Sequence, residues 1–227
     1  MIGLFVAICW PFRKTIYDEE LPREPTIFIA NHRYAGGVMF LIPVLPLPVY
    51  TWSSKKAADF GEYSIRVQKY LMEHKLHIPY PISKALAFLV TCVCHPFISS
   101  LRQVKVHGEL SKERIVSVSV ELLAEGESIL LYPEKWPFLL DRVQDLQKGA
   151  GFLIKGYFEQ TGMIPPVVPI AIDGRANVRF GGAIRLDSQL ALDPAASTLV
   201  MEQALKALYQ RLVDATGRGQ RAAPGNA

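Results

Sequence analysis

Apolar and polar positions divide this chain into short strand-like runs and longer helical segments. Three runs of five or six mostly apolar residues predict buried strands: Thr26–Ala30, Ser128–Tyr132 and Val167–Ile172. Apolar residues at helical spacing separate or follow these runs, in Ser111–Ala124, Gly149–Gln160 and Ser197–Thr216. Because predicted strands alternate with helices, the pattern indicates an α/β fold with a mostly parallel central sheet flanked by helices.

Weaker signals predict further elements around these. They are strands at Val49–Ser53 and Ile98–His107, and helices at Asp59–His74 and Ile82–Cys94. A glycine pair, Gly181-Gly182, separates two short apolar segments, Val178–Phe180 and Ala183–Leu186. Glycine pairs of this kind favour tight turns, so these two segments are predicted to form a hairpin.

The length of 227 residues allows one full hydrophobic core, and we expect a single domain over residues 14–216. Residues 217–227 are small and polar and predict a disordered tail. Residues 1–13 start with an apolar stretch that is much shorter than the roughly 20 residues that span a bilayer. This segment is either an interfacial anchor or the first part of the core.

Composition and charge narrow the possible partners. Half of the residues are hydrophobic, the mean hydropathy is +0.17 and the formal net charge is +4. A mildly basic, apolar chain suits an anionic membrane surface or an anionic ligand. Because the sequence has no basic stripe with interleaved aromatic residues, we do not expect nucleic acid binding.

The three cysteines, Cys9, Cys92 and Cys94, are too few and too unevenly placed for a disulfide framework. Cys92, Cys94 and His95 are ligand types for a metal, but no second ligand pair occurs elsewhere in the chain. We therefore expect no metal site, and buried thiols in a reducing compartment.

Two of the predicted strands end in a potential acid–base group. Asn31-His32 follows the first, and Pro133-Glu134 follows the second. The ends of parallel strands meet at one edge of a sheet, so a base and a carboxylate are expected to converge there. The alternatives are a capping asparagine beside a core histidine, and a carboxylate at a helix N-terminus. Arg102 is either a positive group for the same edge or a solvated arginine.

The order of these features resembles the glycerolipid acyltransferases of the lysophosphatidic acid acyltransferase type, from about Lys14 to Leu186. The family motif N-H-x-x-x-x-D corresponds to Asn31–Gly37, and its arginine motif to Arg102. The family motif F-P-E-G-T-R corresponds to Tyr132–Pro137. Three further matches are Leu122–Gly126, Lys148–Ala150 and Val168–Ile170. Motifs with this order and spacing identify the chain as a divergent member of that family.

The resemblance implies transfer of a fatty acyl group from acyl-CoA or acyl-carrier protein to a hydroxyl, usually on a lysophospholipid. It implies that His32 is the general base, with no acyl-enzyme intermediate and no cofactor beyond the thioester co-substrate. It also implies that Asn31, Arg102, Glu134 and Lys135 contribute to substrate binding or to the order of the site.

Two departures from the family pattern bear on activity. Gly37 stands where the first motif has its aspartate, and Lys135, Trp136 and Pro137 replace Gly, Thr and Arg in the third. Lysine is a flexible point charge and lacks the planar fork of arginine, so a phosphate group would be held less well. These changes indicate an altered acceptor, or a member that binds lipid or acyl chains without catalysis. An unrelated α/β hydrolase is disfavoured because the sequence has no G-x-S-x-G motif.

Membrane association follows from the acceptor class and from three apolar segments. These are the N-terminal segment, Val38–Leu47 and Ala85–Cys94. Together they are expected to form one lipid-facing surface. We therefore predict peripheral or monotopic attachment to the cytoplasmic face of a membrane.

Overall fold

The computed structural model describes residues 14–32, 41, 44–45, 48–53, 59–105, 111–135, 142–173 and 177–216. Within these residues the strands are β1 (Thr15–Tyr17), β2 (Ile27–Ala30), β3 (Val49–Ser53), β4 (Gln103–Lys105), β5 (Ser128–Leu131), β6 (Val167–Ile172) and β7 (Val178–Phe180). The α-helices are α1 (Phe60–Arg66), α2 (Ile82–Ser99), α3 (Lys112–Ala124), α4 (Gly149–Thr161), α5 (Ser188–Leu192) and α6 (Pro194–Ala215). A π-helix occupies Val67–Lys75.

The chain divides into two compact units, and the larger contains residues 1–49 and 116–227. Its strands follow the order β1-β7-β6-β2-β5. β2 is parallel to both β5 and β6, β1 is parallel to β7, and β6 and β7 are antiparallel. The predicted α/β fold with a mostly parallel sheet flanked by helices is therefore confirmed.

The central strands are continuous apolar runs because both faces of the sheet are covered. Every residue of β2, β5 and β6 is buried. Alternate residues such as Phe28, Ala30 and Leu130 belong to one core cluster. Helix α6 packs against β6, and α4 packs against α6. These layers hold the ends of β2 and β5 in place.

The pairing register aligns the two strand ends that carry the candidate site. Ile29 of β2 lies opposite Leu131 of β5 and opposite Pro169 of β6. Asn31 and His32 therefore leave the sheet beside Pro133 and Glu134. The predicted convergence of a histidine and a carboxylate at one sheet edge is confirmed.

The second unit, Tyr50–Ile115, contains the parallel pair β3 and β4 and the helices that precede β4. Its apolar cluster is small, with Tyr63, Val67, Met72 and Ala87 as the buried members. Asp59 begins α1 by accepting a hydrogen bond from Glu62 N at 2.8 Å. Within the described residues, no helix has both the length and the apolar character needed to cross a membrane.

The predicted hairpin is wrong. β7 pairs with β1 and β6, and the segment after it stays beside β6, where Gly181 N donates to Pro169 O at 2.9 Å. Ile184 N then donates to Val167 O at 2.8 Å, so this segment pairs with the start of β6 and not with β7. Gly181 thus allows a close approach to Pro169 of β6, since a Cβ there would lie 2.9 Å from Pro169 Cγ, where the sequence pattern indicated a turn.

Three other predictions need correction. Asp59–His74 is not one α-helix, because its second half has the wider π-helical hydrogen bonding from Val67 onward. Helix α2 continues through Pro96 to Ser99, so the strand predicted over Ile98–His107 begins only at Gln103. Val106 and His107 lie outside the described residues. Cys92 is exposed and Cys94 is half-buried, so the prediction of buried thiols is wrong for Cys92.

Several sequence predictions lie outside the described residues. They concern the segment 1–13, the tail 217–227, Gly37 of the first motif, and Trp136 and Pro137 of the third.

Candidate active site

Asn31 continues the β2–β6 pairing with its side chain. Its Nδ2 donates to Ile172 O at 2.9 Å, and its Oδ1 accepts from Ile172 N at 2.7 Å. An amide group offers one donor and one acceptor in the same plane, which reproduces a strand hydrogen-bond pair. Asn31 is buried, so this contact fixes where the chain leaves the sheet. His32, the next residue, is thereby held at a defined position.

Glu134 joins the end of β2 to the segment that follows residue 141. Its Oε2 accepts a hydrogen bond from His32 N, and its Oε1 accepts one from Gln144 N at 2.7 Å. Glu134 is only 2% exposed. Hydrogen bonds from backbone N–H groups to an ionised carboxylate are stronger than neutral ones, and here they compensate for its burial. The carboxylate therefore acts as a brace for the backbone at His32.

The chain returns alongside Glu134 after residue 141 and forms a short ladder. Lys135 N donates to Asp145 O at 2.9 Å, and Gln147 N donates to Pro133 O at 2.6 Å. The Gln147 side chain adds a bond from Nε2 to Glu134 O at 3.2 Å. The loop that carries Glu134 is thus held from both sides by its own continuation.

Helix α6 anchors this returning segment through charged side chains. Glu202 Oε2 accepts from Leu146 N at 2.8 Å, and Lys206 Nζ donates to Glu202 at 2.7 Å and to Asp145 at 3.1 Å. The bond to Glu202 raises the pKa of Lys206, and the bond from Lys206 lowers the pKa of Asp145. The site is connected in this way to the main helical layer of its unit.

The ring of His32 lies edge-on to the ring of Tyr132, with centroids 5.6 Å apart and planes inclined by 65°. His32 itself is only partly buried. Tyr132 Oη is buried and has no hydrogen-bond partner in the described part of the chain. Burial raises the pKa of Tyr132 well above its usual value, so its hydroxyl stays neutral. The imidazole therefore borders an aromatic wall that carries no charge.

The other predicted site residues have different environments. Lys135 is exposed, one residue after the buried Glu134. Arg102 belongs to the second unit, where its guanidinium carbon lies 5.5 Å from the centroid of the Tyr50 ring. Its carbonyl accepts from Thr51 N at 2.9 Å. The larger unit thus brings Asn31, His32, Glu134 and Lys135 to one sheet edge. In the second unit, Arg102 contacts Tyr50 and Thr51 of β3.

Sequence reasoning missed three contributors to this edge: Gln144, Gln147 and the ring of Tyr132. Gln144 and Gln147 contribute through a return of the chain for which no periodicity gives a signal. Tyr132 is the first residue of the segment that corresponds to the F-P-E-G-T-R motif. The register of β5 beside β2 brings its ring to His32. Within the described ranges, no group of three or more His, Cys, Asp or Glu residues is arranged to hold a metal ion.

Comparisons with known proteins address the fold. No protein-family model matches the sequence, and no curated protein matches it. Among solved structures, the chain is similar to the 1-acyl-sn-glycerophosphate (LPA) acyltransferase PlsC from Thermotoga maritima. The TM-score is 0.57 at 14% sequence identity, and the match covers 98% of this chain and 80% of that one. The protein therefore has an acyltransferase-like α/β fold of the PlsC kind.

Proposed function

We propose that this protein is an acyltransferase that uses a thioester donor, acyl-CoA or acyl-carrier protein, and the hydroxyl of a lysophospholipid or related acceptor. The observation that carries the proposal is the arrangement at the end of β2. There, His32 follows a pinned asparagine, and its backbone is bonded to the buried Glu134. The likeness in fold to an LPA acyltransferase supports the reaction class.

In the proposed reaction, His32 is the general base. Its imidazole takes the proton of the acceptor hydroxyl while the hydroxyl oxygen attacks the thioester carbonyl. The new C–O ester bond forms, the C–S bond breaks, and the proton passes from the imidazolium to the leaving thiolate. A histidine suits both steps because its unperturbed pKa lies near neutrality. Asn31 and Glu134 contribute by holding His32 in place.

We propose that binding of the acceptor to this protein depends less on a phosphate group than binding of lysophosphatidate would. Lys135 is the cation that remains from the third motif, and it is exposed next to Glu134. An exposed lysine attracts an anionic headgroup as a point charge and does not offer bidentate contacts. Arg102 and Asn31 are the other proposed substrate contacts, although Asn31 already uses its amide on Ile172.

We further propose that the protein works as a peripheral or monotopic protein on the cytoplasmic face of a membrane. The support is chemical: a lipid acceptor with a long acyl chain resides in a bilayer, and the chain carries a net positive charge.

A second candidate is a family member that binds lipid or acyl chains and has lost catalysis. Gly37 in the position of the motif aspartate favours it. In the serine-protease template, loss of the carboxylate that supports the histidine lowers the rate by about 10⁴. Even if the rate of acyl transfer is lowered by that factor, detectable transfer would distinguish an enzyme from a binding protein.

The test is a panel assay with radiolabelled acyl-CoA and acyl-carrier protein against lysolipids, alcohols and amines. Wild type is compared with His32→Ala and with a control, His77→Asn. His77 is an exposed histidine at φ 53°, a conformation that asparagine tolerates well. We expect transfer by wild type and His77→Asn and none by His32→Ala. Folded wild-type protein that binds acyl chains without transferring them would favour the binding role.

A further inference from the structure

Helix α2 presents a row of large apolar side chains to solvent. Ile82, Leu86, Leu89 and Val93 are spaced four, three and four residues apart, so they lie on one side of the helix. Their exposed fractions are 55%, 37%, 60% and 54%. We call these four residues the α2 face. Ser83, Ala87 and Thr91 are buried, so the helix packs on its own unit through its other side.

An exposed apolar surface of this kind differs from the scattered apolar residues that every protein surface carries. A single exposed apolar residue needs no explanation, but four apolar residues in one row expose a continuous apolar stripe. Phe88, on the same helix, is 53% exposed and widens the apolar area. The α2 face therefore has the character of a contact surface.

The charge of the sequence that contains the α2 face indicates which class of partner suits it. The 35 residues from His74 to Gly108 contain no aspartate or glutamate and four lysines or arginines: Lys75, Lys84, Arg102 and Lys105. The unit Tyr50–Ile115 has ten basic and five acidic residues, whereas the rest of the chain has fifteen basic and sixteen acidic ones. The net positive charge of the protein is thus concentrated in the unit that exposes the apolar stripe.

We propose that the α2 face docks onto an anionic lipid bilayer, with α2 lying in the plane of the interface. Apolar side chains would enter the boundary between headgroups and acyl chains, and the net positive charge of the unit would favour anionic headgroups. An 18-residue helix is about 27 Å long, which gives an extended line of contact. The proposal locates membrane contact in the second unit, and it rests on the proposed function only in its choice of a lipid partner.

A second copy of the chain is the less suitable occupant. A symmetric dimer through the α2 face would bring two copies of the same basic unit together. Like charges placed opposite each other oppose association, whereas an anionic membrane attracts each unit.

Sedimentation with vesicles of phosphatidylcholine and phosphatidylglycerol tests the proposal. The variant is Leu89→Gln with Val93→Gln, which removes two apolar side chains without changing the net charge. The matched control is Phe152→Gln with Leu199→Gln, two helical residues of the larger unit that are 50% and 54% exposed. We expect the α2 variant to bind about tenfold or more weakly than wild type and the control to bind like wild type.

Salt and lipid composition test the electrostatic part. Binding of wild type should weaken when the ionic strength is raised and on vesicles of pure phosphatidylcholine. Equal binding of wild type and the α2 variant would overturn the proposal. A wild-type dimer that the α2 variant dissociates, with no vesicle binding by either protein, would assign the α2 face to self-association and also overturn it.

Failure of this proposal and failure of the proposed function give different results. Acyl transfer to a monomeric short-chain acceptor, without vesicles, should be the same for wild type and the α2 variant. Vesicle binding without any transfer would leave the docking surface standing and contradict the enzyme. Acyl transfer without vesicle binding would support the enzyme and contradict the docking surface. Circular dichroism of each variant confirms that the protein compared is folded.

Discussion

At the scale of single residues, Glu134 holds the candidate site together. It is a buried carboxylate whose two oxygens accept bonds from the backbone of His32 and of Gln144. It therefore ties the end of β2 to the returning segment after residue 141. A second buried group, the hydroxyl of Tyr132, makes no such bond to the described residues. Substitution of the two residues should have opposite effects on stability.

Glu134→Gln should destabilise the protein. Glutamine keeps the size of the side chain, but its NH₂ group would face one of the two backbone donors. Hydrogen bonds to a charged group contribute about 1.5–3 kcal/mol each, so we expect a loss of about 2–3 kcal/mol in the free energy of unfolding. Urea denaturation measures it. Glu125→Gln, at the exposed end of α3, is the matched control and should change stability little. A Glu134 variant as stable as this control would contradict the role of a brace.

Tyr132→Phe should stabilise the protein by about 1 kcal/mol, because it removes a buried hydroxyl that has no partner among the described residues and keeps the ring beside His32. The pH dependence gives a second readout. Because burial raises the pKa of Tyr132 above its ordinary 10.0, folding favours the protonated form. Its contribution is fully present below pH 10 and is lost as the pH rises further. The stability of wild type should therefore fall more steeply above pH 10 than that of the phenylalanine variant; equal slopes would contradict this.

At the scale of elements, close packing of α4 against α6 supports the sheet edge. A Cβ added at Gly151 of α4 would lie 2.3 Å from Pro194 O and 2.8 Å from Thr198 Oγ1. Pro194 O is a backbone atom and cannot move independently of its helix, so a side chain at this position would push the first turn of α6 away. Glycine is needed at this position for close approach and not for an unusual backbone angle.

Gly151→Ala is predicted to destabilise the protein, although alanine in a helix is more favourable than glycine by about 1 kcal/mol in helix propensity. Overpacking of this kind costs about 1–3 kcal/mol, and the rigid neighbour places it at the upper end. Gly156→Ala on the same helix is the control, since its Cβ would meet side-chain methyl groups, of Val120 at 3.1 Å and of Val116 at 3.5 Å, and no backbone atom. Thermal unfolding should show a lower Tm for the first variant than for the second. A similar Tm for both would mean that α4 and α6 adjust freely.

The elements that the sequence predicted well are those with a strong local pattern. β3 and β6 have the predicted bounds, and β2, β5, α3 and α4 differ by one or two residues at an end. Buried parallel strands are continuous apolar runs, which are easily seen. The hairpin failed because β7 and the segment after it both pair with β6, so the chain continues along β6 and does not turn back on β7. The other neighbour of β7 is β1, which is more than 150 residues away in sequence. The ladder from Glu134 to Gln147 was missed for a related reason: hydrogen bonds between backbones leave no pattern in residue type.

The site was predictable only in part. The placement of His32 and Glu134 at one edge followed from two strand ends and one register. Glu134 bonds to backbone N–H groups, one of which belongs to the returning segment after residue 141. No pattern in the sequence predicts that return. The roles of Asn31, Arg102, Glu134 and Lys135 toward a substrate stay predictions.

At the scale of the whole molecule, the two compact units differ in the size of their cores. The larger unit buries every residue of β2, β5 and β6, whereas the described apolar cluster of the smaller unit has four buried members. Local opening free energy follows buried apolar contact. We therefore expect backbone amides of α1 and α2 to exchange with solvent through lower-energy openings than those of β2, β5 and β6. Native-state hydrogen exchange with mass spectrometry measures this, and equal protection of α2 and β2 would contradict it.

The central claim is that His32 removes the proton from an acceptor hydroxyl in a direct acyl transfer. The most direct test is a rapid-quench single turnover, with enzyme in excess over acyl donor, that follows released thiol and acylated product together. We expect thiol and product to appear with one rate constant and no acyl group to be bound to the protein. We also expect His32→Ala to abolish the formation of both. Accumulation of acyl-protein, or an undiminished rate in folded His32→Ala, would contradict it.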